Sequence, residues 1–367
     1  MNLNRELNLC ILNVNAVKTK LGTNSNNTEC INIANILSSV PNVHCDVINT
    51  TDEETDKDLF NDTIFNNVRV DLANPDKYDA VLFMNSSPNF FGGTKNDDIL
   101  NKYRFLAKCK CPIFYLFNDR ALTFMQLWPA IQKREWNIDT EETIKIKSDI
   151  YLASQFTDVE ECIRINNKYN NIKGGRFIDF GCWRLNNFES LIKENKHVYD
   201  LIYGGSFRSG RRKEKYEDYF FDKDLNVAIY GTMKLSNFKD IENKKAPDAW
   251  LGKVNCLKAI DENSLGFATV IIGEKGFNNN IHTIRMYESI LSNTITFIDN
   301  DLDSQHTIYR DDYLYVHNGK ELETKIKELK ENKDLYNKCL NTQKQFLLRK
   351  STVDWVGDLL NYILEVI

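Results

Sequence analysis

Short, nearly continuous apolar runs alternate along the chain with longer stretches in which apolar residues recur at helical spacing. A first series runs Leu9 to Val14, Cys45 to Ile48, Ala80 to Met84, Ile113 to Phe117, Ile150 to Ala153 and Phe177 to Phe180. A second runs Leu201 to Tyr203, Val227 to Tyr230, Thr269 to Ile272, Ile295 to Ile298 and Tyr313 to Val316. Runs without in/out alternation are expected where helices cover both faces of a parallel sheet. The pattern predicts an α/β fold with two Rossmann-like halves, divided within the mixed polar segment Cys182 to Tyr199. At the end of the chain Val353, Trp355, Val356, Leu359, Leu360, Ile363 and Leu364 recur at helical spacing, with Ser351 or Thr352 as a candidate cap. A helix this apolar needs a docking surface. The acidic run Asp52 to Asp58 and the charged stretch Glu321 to Lys333 read as solvated faces.

Composition narrows the possibilities. A length of 367 residues is a prior for two domains. With 42% hydrophobic and 27% charged residues, wholesale disorder and fibrous architectures are excluded. Lys and Arg total 47 against 52 Asp and Glu, a formal charge of −5. That excludes coating nucleic acid by bulk charge but leaves room for a local basic groove. The nine cysteines are scattered, with only Cys109 and Cys111 close together, and read as free thiols in a reducing setting. The first residues lack the long apolar core and cleavage site of a secretory signal, and no stretch approaches the roughly 20 apolar residues of a membrane span. The expectation is a soluble intracellular protein.

Four segments carry candidate chemistry. In Asp200 to Arg212 an apolar strand enters a glycine-rich turn, Gly204-Gly205-Ser206, followed by Arg208, Arg211 and Arg212. Such a turn lets backbone approach phosphate oxygens, and Arg208 and Arg212, four apart, share a helical face suited to a diphosphate. A tight strand–helix turn with solvated arginines has the same pattern. The segment matches neither the dinucleotide glycine fingerprint nor the P-loop. In the second segment, Arg285 and Glu288 follow an apolar strand at helical spacing. Arg can hold phosphate while Glu accepts from ribose hydroxyls, or the two can form an ordinary intrahelical pair. Third, Asp119 stands at the carboxyl end of the Ile113 to Phe117 run, where open α/β sheets place ligands. It suits either a general base or a helix cap. Fourth, Asn85 to Gly93 holds Asn89, Phe90, Phe91 and Gly92 on a loop able to stack on a base, or to be pinned by its own rings. Asp299-Asn300-Asp301 resembles a metal clamp but reads as a loop former, and the five histidines lack neighbours at metal spacing. No metal site is expected.

At these same segments the chain resembles the DNA β-glucosyltransferase family of T-even bacteriophages. The matching stretches are Asn85 to Gly93, Tyr115 to Asp119, Trp128-Pro129, Ile202 to Arg212, Gly252-Lys253, Ile271 to Lys275, and Arg285 with Glu288. They spread over nearly the whole chain and are weakest from about Ile144 to Val198. The resemblance implies a GT-B architecture: two facing Rossmann-like domains and a C-terminal helix that crosses back to the first. It divides the chain into residues 1–183 with 353–367, meeting DNA, and 184–352, binding the UDP-sugar. The implied reaction moves glucose from UDP-glucose to the hydroxymethyl group of 5-hydroxymethylcytosine in double-stranded DNA, inverting the anomeric centre. Asp119 is then the catalytic base. Arg208, Arg212 and Arg285, with the Gly205–Ser206 backbone, form the diphosphate site. Glu288 is the ribose ligand, and Lys253, Val254 and Phe277 belong to the UDP site. Glu29 and Glu274 touch the sugar. Asn89, Phe91 and Gly92 probe the DNA where the target base is flipped out. The resemblance also implies stimulation by Mg²⁺ or Mn²⁺, a monomer, and action in the cytoplasm of the infected bacterial host.

Three positions depart from the family. Glu274 stands in place of an Asp that holds sugar hydroxyls, and the added methylene moves the carboxylate by roughly 1 Å. Phe277 replaces a Tyr, and Ala121 an Arg, with Arg120 adjacent. The acidic net charge makes DNA affinity depend on a localised groove. Transfer of another UDP-sugar such as a pentose, another hydroxymethylated base, and a catalytically silent DNA-binding relative stay open on the sequence.

Overall fold

The computed structural model describes residues 5–13, 25–49, 64–84, 96–118, 128–131, 133–134, 138–168, 170–205, 213–231, 244–252, 258–272 and 283–367. The chain divides into two compact units, Met1–Trp183 with Asp354–Ile367, and Arg184–Val353.

The first unit is built on β1 (Leu7–Asn13), α1 (Ser25–Ser38), β2 (Val43–Asn49), β3 (Asn67–Arg69), β4 (Ala80–Met84), α2 (Asn96–Lys108), β5 (Ile113–Phe117), β6 (Ile150–Ser154), α3 (Val159–Asn166) and β7 (Ile172–Phe177). Its strands form one parallel sheet in the order β3-β2-β1-β4-β5-β6-β7. Every residue of β4 and β5 is buried, the physical reason their runs do not alternate. Strand order reverses between β1 and β4, the position at which such sheets open a crevice at their carboxyl ends.

The run Phe177 to Phe180 is not a strand. The strand lies before it, over Ile172–Phe177, and the chain then enters a 3₁₀ turn at Phe180–Leu185. The segment IKGGRF has no apolar run because its packing is supplied by glycine: a Cβ on Gly175 would meet Val159 Cγ1 at 2.8 Å and Ile163 Cδ1 at 3.0 Å. Helix α3 rests where that side chain would stand.

The second unit comprises β8 (Tyr199–Gly204), α4 (Lys213–Phe220), β9 (Val227–Tyr230), β10 (Ala249–Trp250), α5 (Ala259–Asn263), β11 (Gly266–Ile271), α6 (Ile284–Leu291), β12 (Ile295–Asp299), β13 (Tyr315–Val316), α7 (Gly319–Glu331) and α8 (Lys333–Ser351). Its parallel sheet has the order β10-β9-β8-β11-β12-β13, the doubly wound arrangement again, reversing between β8 and β11. The first half of the Tyr313 to Val316 run is a 3₁₀ turn, Asp312–Leu314, capped by Asp311. Met286, Tyr287 and Phe346 join the strand side chains in one core, with the Tyr287 and Phe346 rings stacked at 6.0 Å.

The final helix, α9 (Trp355–Val366), belongs to the first unit. Its cap is Asp354, which accepts from the Gly357 N–H at 2.9 Å, rather than Ser351 or Thr352; those two hydroxyls bond back to the carbonyls of Leu348 and Arg349 at the end of α8. Tyr362 meets Phe114 of β5 edge-on at 5.3 Å and lies under the Arg176 guanidinium of β7 at 4.7 Å. Arg176 in turn pairs with Glu365 through two nitrogens. The apolar tail thus docks on the β5–β7 side of the sheet that begins the chain. The eight cysteines among the described residues are free thiols. No helix among the described residues is long and apolar enough to cross a membrane.

Candidate active site

In the first unit, Glu29 of α1 is 2% exposed. Asn118, the residue immediately after β5, donates from Nδ2 to Glu29 Oε2 at 3.2 Å. Burial pushes the Glu29 carboxyl up to about 7, against the pull of the nearby Trp183 indole and of the hydrogen bond from Asn118. A carboxyl so poised at the carboxyl end of a parallel sheet can accept from a sugar hydroxyl when ionised and donate when neutral. Asn118 precedes Asp119 in the chain.

In the second unit the polar groups collect at the ends of β8 and β11. Arg285, in the first turn of α6, donates from Nη1 to the Tyr203 hydroxyl at 2.9 Å and to the Gly204 carbonyl at 3.2 Å. Tyr203 is tied to Tyr216 of α4 by a 2.9 Å hydroxyl–hydroxyl bond. The Tyr203 oxygen, against the opposing effect of burial, holds the guanidinium above its ordinary value, so it is cationic at every working pH. With Nη1 pinned, the plane of the remaining N–H donors is fixed, which suits a phosphate. Gly205 contributes clearance: a Cβ there would stand 2.4 Å from Arg285 Nη1 and 2.7 Å from the Tyr203 oxygen. Its own N–H is engaged by the Tyr230 carbonyl at 2.9 Å, so the amide itself is spent within the sheet. Tyr203, Gly204, Thr269, Ile272, Arg285 and Ser289 line a cavity at this point.

Glu288 lies one turn along α6. It is not the intrahelical partner of Arg285: its ion pair is with Arg184, Nη2 to Oε1 at 3.2 Å, both side chains largely buried. Burial raises the Glu288 carboxyl to about 7, while Arg184 and then Arg285 oppose that rise. Gly205, Arg285 and Glu288 are therefore brought to one end of the second sheet, and Glu29 to the matching end of the first. Asp119, Asn89, Phe91, Gly92, Ser206, Arg208, Arg212, Lys253, Val254, Glu274 and Phe277 lie outside the described residues. Sequence reasoning missed Tyr203, Arg184, Asn118 and Trp183. Tyr203 sits inside the Asp200 to Arg212 segment and was legible as its neighbour. Arg184 and Trp183 fall in the stretch where the motifs are weakest.

Asp299 and Asp301 both pair with Lys215, at 2.5 and 2.7 Å, and Asp299 also accepts the Asp301 N–H. Among the described residues no group of three or more His, Cys, Asp and Glu suits a metal ion.

These two sheets match known structures along their length. T4 phage β-glucosyltransferase in complex with UDP and Mn²⁺ aligns with a TM-score of 0.81 at 30% identity, covering 97% of this chain and 99% of that one. The same phage enzyme with UDP-glucose aligns with a TM-score of 0.80 at 29% identity over the same shares. An α-glucosyltransferase in complex with UDP shares the fold alone, with a TM-score of 0.57 at 11% identity, covering 98% of this chain and all of that one. The fold is that of a GT-B glycosyltransferase. A sequence model of bacteriophage T4 β-glucosyltransferase matches residues 14–183. The DNA β-glucosyltransferase of Enterobacteria phage T4 is 35% identical over 292 residues, 78% of this chain and 83% of that protein. This chain belongs to the DNA β-glucosyltransferase family.

Proposed function

We propose that the protein transfers glucose from UDP-glucose to the hydroxymethyl group of 5-hydroxymethylcytosine in double-stranded DNA, inverting the anomeric carbon. The observation that carries the reading is the Arg285 guanidinium, pinned by Tyr203 and the Gly204 carbonyl at the β8/β11 switch point. Membership of a family whose T4 relative is a DNA β-glucosyltransferase supports reading that cation's partner as a sugar nucleotide's diphosphate.

The acceptor oxygen attacks C1 of glucose while its proton passes to the Asp119 carboxylate. The C1–O bond to UDP breaks, and its electrons leave with the β-phosphate. Arg208, Arg212 and Arg285, together with the Ser206 backbone, stabilise that growing negative charge, and Gly205 leaves room for Arg285. Glu288 accepts from the ribose hydroxyls, and Lys253, Val254 and Phe277 flank the uracil. Glu29 and Glu274 hold the sugar. Asn89, Phe91 and Gly92 enter the duplex where the base is flipped out, since a stacked cytosine cannot bring its hydroxymethyl group to the base. In this reading the first unit meets DNA and the second binds UDP-glucose. The protein acts as a monomer on DNA in the cytoplasm of the infected host. Mg²⁺ or Mn²⁺ stimulates without being required.

A second reading, transfer of a smaller sugar such as a pentose, is favoured by Glu274 alone. Incubating hydroxymethylated DNA with a panel of UDP-sugars and weighing the digested nucleosides decides between them. A hexose adduct only from UDP-glucose supports the first reading; a pentose adduct without a hexose one replaces it. Asp119→Asn abolishes either adduct while leaving UDP binding intact, and turnover surviving that change removes Asp119 as the base.

A further inference from the structure

We infer that Arg184 is a positioning residue for donor binding: its guanidinium keeps the Glu288 carboxylate ionised and oriented to accept from the paired hydroxyls of the donor's ribose. This deepens the assignment of Glu288 made above and rests on it.

The geometry supplies the argument. Arg184 leaves the 3₁₀ turn Phe180–Leu185 and meets Oε1 of Glu288 at 3.2 Å, with side chains 13% and 8% exposed. A carboxylate this buried survives only beside a counterion. Three charged groups face Glu288. Arg184 and Arg285 favour the ionised form, and Glu262 of α5 opposes it. Arg285 is one turn back on the same helix, and its guanidinium is turned to Tyr203 and Gly204. Once the diphosphate engages Arg285, that cation is shared with two new negative charges, and Arg184 becomes the counterion that holds Glu288 ionised. A protonated Glu288 would lose one acceptor oxygen to its own O–H and match a diol poorly.

The test is the pH dependence of KM for UDP-glucose, measured with kcat on hydroxymethylated DNA. In the wild type KM rises as pH falls below about 7, the value to which Glu288 is raised. Removing an adjacent opposite charge raises a carboxyl's pKa by one or more, so Arg184→Met raises KM at neutral pH by about tenfold. The rise shrinks toward pH 9, and kcat changes little. Arg184→Lys, which keeps the charge, stays within roughly threefold of the wild type. In a Glu288→Gln background, Arg184→Met adds no further loss, because the two act through one interaction. Arg184→Gln completes the same cycle if Arg184→Met does not fold. An unchanged KM, or a loss that is independent of pH and additive with Glu288→Gln, overturns the role of Arg184 alone. A wild type that gives no heat with UDP overturns the functional reading and this inference together.

Discussion

The Arg285 guanidinium donates from Nη1 to the Tyr203 hydroxyl at 2.9 Å, joining the first turn of α6 to the last turn-ward residues of β8. Tyr203 is itself held by Tyr216, so the cation is fixed through a chain of two phenols rather than by a carboxylate. That choice of partner matters. A carboxylate would neutralise the guanidinium, whereas a neutral hydroxyl orients it and leaves its charge for an anion.

The clearance at Gly205 is what lets that geometry exist. A methyl group there collides with the far end of the Arg285 side chain and with the Tyr203 oxygen, both of which can move without unfolding the sheet. Gly205→Ala therefore leaves the melting temperature within a few degrees of the wild type. It displaces Arg285 and costs a charged hydrogen bond, about 1.5–3 kcal/mol, so UDP affinity falls roughly ten- to hundredfold by calorimetry.

Lys215 is the counterion of a buried carboxylate, Asp299, which is 2% exposed, and it also pairs with Asp301. Burial raises the Asp299 carboxyl, while Lys215 and the Asp301 N–H oppose that rise. Lys215→Met strands the charge and lowers unfolding free energy by roughly 2–3 kcal/mol in denaturant titrations. Adding Asp299→Asn recovers more than half of the loss, since the charge left without Lys215, that of Asp301, is partly exposed to solvent.

Glu29 makes stability depend on pH. Its carboxyl titrates near 4.5 in the unfolded chain and near 7 when folded, so the native state holds the extra proton between those values. The contribution is complete below about pH 4.5 and is lost as pH rises through 7. At about 1.4 kcal/mol per tenfold change in proton affinity, the loss is on the order of 3 kcal/mol. Glu29→Gln keeps an acceptor for Asn118 without the charge. At pH 8 it melts on the order of 5–10 °C above the wild type, and the gap narrows toward pH 5. A gap that is constant with pH contradicts the burial of an ionisable group at this position.

The doubly wound architecture was legible because strands buried on both faces must be apolar throughout, and β4, β5 and β9 coincide with their runs. β7 was illegible for the converse reason: Gly175 admits helix α3 without any side chain of its own. The short edge strands β3 and β10 carry too few residues for a pattern. At the site, Arg285 could be read as an anion ligand from its place after an apolar strand. The partner of Glu288 could not. Spacing of three on a helix points to Arg285, whereas tertiary packing brings Arg184 from a distant segment and turns Arg285 away. Glu29 has no local signal at all. Its buried contact with Asn118 exists only once α1 packs beside the carboxyl end of β5.

The central claim is that the second unit holds a sugar nucleotide by its diphosphate through Arg285. Titrating UDP calorimetrically into the wild type and into Arg285→Met tests it most directly. One molecule of UDP bound per chain by the wild type, with affinity at least tenfold weaker in a variant that melts normally, is the predicted result. Equal affinity in the two proteins, or no heat with the wild type at all, contradicts it.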